Sequence, residues 1–211
     1  MSKSLNFYAC GLEKDVTLML VFKPATSAKL YRDQFPIVWK HIQFFAGGHN
    51  KAEITYSSRL GVGLPQIDDG GRVSASRWAE VKAGDVINIT DANGVPRLGT
   101  ITNMEEETHL ISIKNPTHEP VDVTVGLLAG DHLEQRFEPV FLYKTLSEAA
   151  TISPEITHVV EAYVTRDYNG TYLVSSNVSA SDNAPFKLPI HSREKLKQMP
   201  SGVKTCANSN P

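Results

Sequence analysis

A chain of 211 residues, 41% apolar and 21% charged, can bury one sizeable core and is too apolar for a disordered segment. Its formal charge of −2 offers no field for a phosphate backbone, so nucleic acid is not an expected partner. The charge is uneven: residues 185–211 carry five cations and one anion, which leaves an acidic body of −6.

The opening residues, MSKSLNFYACGLEKD, lack the apolar region of an export signal. The first β-type run, 5–10, ends on Cys10, which reads as small core filler; with only Cys206 beside it, no disulfide framework is expected. The run 16–23 is apolar but bounded by Asp15 and Lys23, too short to span a bilayer. A helical turn at 31–34 precedes strands at 37–44, 52–57 and 72–78, whose alternation makes Trp39 and Trp78 core anchors. Between them, AGGHN (46–50) reads as a turn with His49 exposed, and RLGVGLPQIDDGG (59–71) as a loop. A dinucleotide fingerprint needs a helix straight after its glycines, and here Pro65 and DDGG follow instead. Asp68 and Asp69 lack the oxygen-rich repeat of a calcium loop.

Strands at 86–90 and 98–103 flank Asn93-Gly94, a dipeptide that tolerates the two positive φ angles of a type I′ hairpin. Pro96 weakens that hairpin, because proline cannot donate to a central ladder. Further strands are expected at 109–114, 121–127, 137–144, 158–165 and 171–176, with helical turns at 147–150 and 192–199. Asn169-Gly170 closes the last hairpin. No stretch keeps an apolar stripe at helical spacing, and no internal repeat is evident. The expected fold is all-β, an antiparallel β-sandwich or jelly-roll-like domain over 1–184 with few short helical turns, followed by a basic, poorly ordered tail over 185–211.

The stretch AGDHLEQRFEP (129–139) carries the clearest candidate chemistry. As a strand it would put His132, Glu134, Arg136 and Glu138 on one face, and Leu133, Gln135 and Phe137 on the other. The plain account is a solvent face over a core face. Turned inward, the two carboxylates would need a cation, and Arg136 between them is one source. A divalent metal is the other, with His132, Glu134 and Glu138 as ligands and an imidazole from His118, His109 or His158 completing the shell.

The H-x-E-x3-E spacing resembles fragments of the first cupin motif, H-x-H-x3/4-E, and VKAGDVINI (81–89) resembles the glycine-aspartate turn of cupin barrels. That resemblance implies a metal-dependent jelly-roll enzyme. The sequence departs from it in three ways. Glu134 replaces the second histidine, AGDVI precedes the motif, and TDANGVPRLG holds no further histidine. No G-x-S-x-G elbow or triad signature is present, so covalent catalysis has no support.

The hairpin tip TRDYNGTY (165–172) gathers Asp167, Tyr168, Asn169 and Tyr172, a carboxylate, an amide and rings that suit sugar recognition. The same residues also make an ordinary hairpin with aromatic cross-strand pairs. Three functions are therefore expected in order. The first is a soluble cytoplasmic binding module for a glycan or small polar ligand, without a membrane span. The second is the metal-dependent enzyme. The third is a structural protein forming homo-oligomers through its sheet edges.

Overall fold

The computed structural model describes residues 2–25, 32–103, 110–131, 134–165, 173 and 186–188. Among them the chain is all-β, with fifteen strands, numbered in chain order, and no helix. A five-stranded sheet runs β3 (Gln34–Pro36), β12 (Arg136–Leu146), β11 (Val121–Ala129), β6 (Leu60–Ile67) and β7 (Val73–Val81). A four-stranded sheet runs β15 (Phe186–Leu188), β14 (Ile156–Thr165), β2 (Val16–Pro24) and β4 (Lys40–Phe44). Another runs β13 (Thr151–Ile152), β10 (Ser112–Lys114), β8 (Asp85–Asp91) and β9 (Pro96–Asn103), and β1 (Ser2–Cys10) pairs with β5 (His49–Ser57). Every pairing between these strands is antiparallel except β8 with β10.

One main core draws on both sides of this sandwich. It joins Phe7 of β1, Leu20 and Phe22 of β2, Val62 of β6, Ile87 of β8, Val125 of β11, Phe141 of β12 and Val160 of β14. Each such fully buried side chain contributes ~1.5–3 kcal/mol relative to exposure. Alternation places them. In β1, Phe7 and Ala9 point in while Ser4, Asn6 and Tyr8 point out. Strand β2 is apolar on both faces because it is covered on both: Leu18, Leu20 and Phe22 join the main core, and Met19 and Val21 pack with Val38 and Tyr163.

The turn at Asn93-Gly94 has the geometry its sequence predicts. Both residues have positive φ, 60° and 76°, and Ala92 and Val95 exchange hydrogen bonds of 3.0 and 3.3 Å. Pro96 is harmless there, as the first residue of an edge strand.

Several expectations need correcting. Residues 60–67 are strand β6, not loop, with Pro65 sitting at a bulge between Leu64 and Gln66, where a lost donor breaks no ladder bond. His49 is exposed as expected, but it opens β5 rather than lying in a turn. The helical turn expected at 31–34 is, at 32–33, a turn feeding β3, and that at 147–150 is a turn closed by Ala150 N–H donating to the Ser147 carbonyl (3.1 Å). Cys10 is not a free core filler; it is disulfide-bonded. The predicted strand at 171–176 and helical turn at 192–199 fall outside the described residues, apart from Leu173, which bridges to Ile37. No helix among the described residues is long and apolar enough to cross a membrane.

Candidate functional site

The stretch 129–139 is a strand end, a turn and a strand start, not one continuous strand. Gly130 has φ +83° at the close of β11, and a side chain there would collide with the Glu134 carbonyl. Glu134 N–H donates to the Asp131 carbonyl (3.0 Å), and β12 begins only at Arg136. The two-residue alternation expected across 132–138 is therefore broken before Glu138 is reached. His132 lies outside the described residues.

Within β12, adjacent residues point to opposite faces, and the assignment reverses the expectation. Glu138 reaches toward Trp39, a member of the main core, while Phe137 lies on the outer face of its sheet over Gly61 and Gly63. Trp39 Nε1–H donates to Glu138 Oε2 (2.7 Å) and Lys40 Nζ donates to Oε1 (2.5 Å). The Glu138 side chain is 19% exposed and that of Lys40 33%, so the ion pair is partly desolvated. An inward carboxylate does require a cation here, and Lys40 supplies it. The pair also fastens β4 of one sheet to β12 of another.

His118 is elsewhere. Its side chain is 92% exposed on the loop between β10 and β11, with Nδ1 2.7 Å from Glu148 Oε1. That loop leads into Val121, which pairs with Leu146, eight residues along β12 from Glu138. At ~3.3 Å per residue the two ends are about 26 Å apart. Glu138 and His118 are thus not brought together, and Glu134 sits in the turn. Among the described residues, no three His, Cys, Asp or Glu side chains converge. His109 lies outside the described residues, and of His158 only its place on β14 is described. The tip residues Asp167, Tyr168, Asn169 and Tyr172 also lie outside them.

The structure assembles a different site on the outer face of the five-stranded sheet. A Cβ on Gly61 would come 3.0 Å from the Phe137 ring, and one on Gly63 2.9 Å from Ala75 Cβ and 3.2 Å from that ring. Bare backbone at both positions lets Phe137 lie across β6 and stack on Trp78 of β7, with centroids 6.3 Å apart and planes 15° from parallel. Gln135 and Arg59 brace the same region. Arg59 grips Glu80 through two bonds (2.8 and 2.6 Å), and the Gln135 carboxamide oxygen, suitably turned, accepts from Arg59 Nη1 (3.0 Å). The Glu80 hydrogen bonds raise the Arg59 pKa above its ordinary value, so Arg59 stays a cation.

Trp78 is half-buried, unlike Trp39, which is 4% exposed and packed edge-on against Phe22 and Tyr56. Beside Trp78 a shallow cleft of about 890 Å³ opens between β7 and β9, lined by Ser76, Arg77, Arg97, Leu98 and Gly99 among others. Strands β7 and β9 each end their sheets, so the cleft marks a seam of the sandwich. Arg77 and Arg97 are exposed, and neither has a carboxylate partner among the described residues. The sequence reading missed this site. RWAEV and PRLGT show only alternating strands, and what joins them is strand order.

Compared with protein-family models, with curated proteins and with solved structures, the chain matches none.

Proposed function

We propose that the chain is a non-enzymatic β-sandwich binding module, a single domain over 1–184 with a basic tail, that takes a glycan or other small polar ligand in the cleft between β7 and β9. One observation carries this reading: Trp78 is held half-buried by its stack on Phe137, with Ser76, Arg77 and Arg97 lining the same cleft. A fixed aromatic surface offers a platform for sugar C–H groups, and the surrounding donors suit hydroxyl oxygens. The tip Asp167–Tyr172, with its similar chemistry, is a second contact surface in this proposal. The metal-dependent alternative draws less support, because Glu138 commits both oxygens to Trp39 and Lys40.

A broad glycan array tests the proposal, probed with the full chain, Trp78→Ala, and Asp167→Ala combined with Tyr168→Ala. Binding that Trp78→Ala removes supports the cleft. Binding lost only in the tip variant moves the site to the hairpin, and silence across the array rejects the glycan reading.

A further inference from the structure

The geometry points to an anionic saccharide, one bearing a carboxylate or sulfate, as the ligand of the cleft; this inference rests on the binding-module reading and narrows it. Arg32 is paired with Asp33 and Arg59 with Glu80. Arg77 on β7 and Arg97 on β9 both line the cleft and have no such partners among the described residues, in a body whose net charge is −6.

Among the described residues, the acidic groups of β7 and of the adjoining β8 are already engaged. Glu80 is held by Arg59. Asp91 accepts from Gly94 N–H (2.9 Å), and Asp85 accepts from Lys82 N–H (2.8 Å) and from Asn103 Nδ2 (2.9 Å). Among the described residues neither Arg77 nor Arg97 has a carboxylate partner, and two such cations lining one cleft favour an anion there over a cation. Planar guanidinium forks match the paired oxygens of carboxylate and sulfate, and Trp78, which also lines the cleft, supplies the sugar platform. A neutral sugar would use the ring and leave both forks to water.

The test is calorimetric titration of the full chain with glucuronic acid and a sulfated disaccharide, against glucose and a matching neutral disaccharide. The anionic sugars are expected to bind at least ~10-fold more tightly than the neutral ones, and each of Arg77→Ala and Arg97→Ala to weaken them about tenfold. Lys114→Ala, an exposed cation away from the cleft, should leave binding unchanged. Raising salt from roughly 0.05 to 0.5 M should weaken the anionic sugars severalfold and hardly affect the neutral ones. Equal binding of neutral and anionic sugars, lost in Trp78→Ala, overturns this inference but keeps the binding module. Inorganic sulfate binding as tightly as the sulfated disaccharide overturns the saccharide part. No binding of any sugar overturns both. Circular dichroism of each variant separates these results from misfolding.

Discussion

Replacing Glu138 by alanine removes the acceptor of a buried indole N–H and the partner of a half-buried lysine in one step. Trp39 is 4% exposed, and among the described residues its Nε1–H has no other acceptor, so an orphaned donor costs roughly 1–3 kcal/mol. The Lys40 side chain is 33% exposed, so its lost ion pair is screened and adds only about 0.5–1 kcal/mol. Glu138→Ala should therefore destabilise by ~1.5–4 kcal/mol, or about 3–16 °C in Tm for a body of this size. Glu138→Gln keeps a carbonyl for Trp39 and loses only the charge, so it should cost about 1 kcal/mol. Urea unfolding followed by the fluorescence of the buried indole measures both. Equal losses for Ala and Gln would show that charge, not the indole bond, holds the carboxylate. An alanine variant within ~0.5 kcal/mol of the parent would refute the structural role.

Three further outcomes follow from the packing. Asn115 is fully buried; its Nδ2 donates to the carbonyls of Glu119, Leu146 and Ser147, and its Oδ1 accepts from Thr117. Asn115→Asp turns a carboxylate on those carbonyls and should cost ~3–5 kcal/mol at pH 7. Its carboxyl pKa would be raised in the fold, so the loss should grow as pH rises past ~4 and shrink below it, as urea midpoints at pH 4 and 7 would show. Gly63→Val would drive its side chain into Ala75 and Phe137, part the Phe137–Trp78 stack and cost ~1–3 kcal/mol, with red-shifted Trp78 emission as the readout. Burial pushes the Tyr143 hydroxyl well above its ordinary value, while the Gln34 hydrogen bond opposes that shift. Its stabilising contribution is thus complete below about pH 10 and is lost as pH rises from there toward the folded-state value, by up to ~1.4 kcal/mol per unit. Tyr143→Phe should flatten that alkaline limb in thermal melts recorded from pH 9 to 12.

The sequence speaks clearly where a short segment decides its own structure. Asn93-Gly94 sets a type I′ turn, and the alternation of 5–10 and 52–57 sets two strands of one pair. It misleads where a residue serves a distant neighbour. Gly61 and Gly63 read as loop because glycine weakens an isolated strand, yet they are bare to admit the ring of Phe137 from another strand. Pro65 reads as a breaker, yet it occupies a bulge. Glu138 reads as a solvent or metal-facing carboxylate because its partners, Trp39 and Lys40, lie 99 and 98 residues away. The cleft is hidden for the same reason: residues 76–79 and 97–101 meet only because β7 and β9 each end a sheet.

The most direct test of the binding account is a map of backbone amide NMR shifts on adding a saccharide that the array selects. The account predicts shifts concentrated at Ser76–Ala79 and Arg97–Ile101, together with the indole N–H of Trp78, while that of Trp39 stays still. Shifts centred on the Lys40–Glu138 region or the His118 loop, with the cleft unmoved, would contradict it.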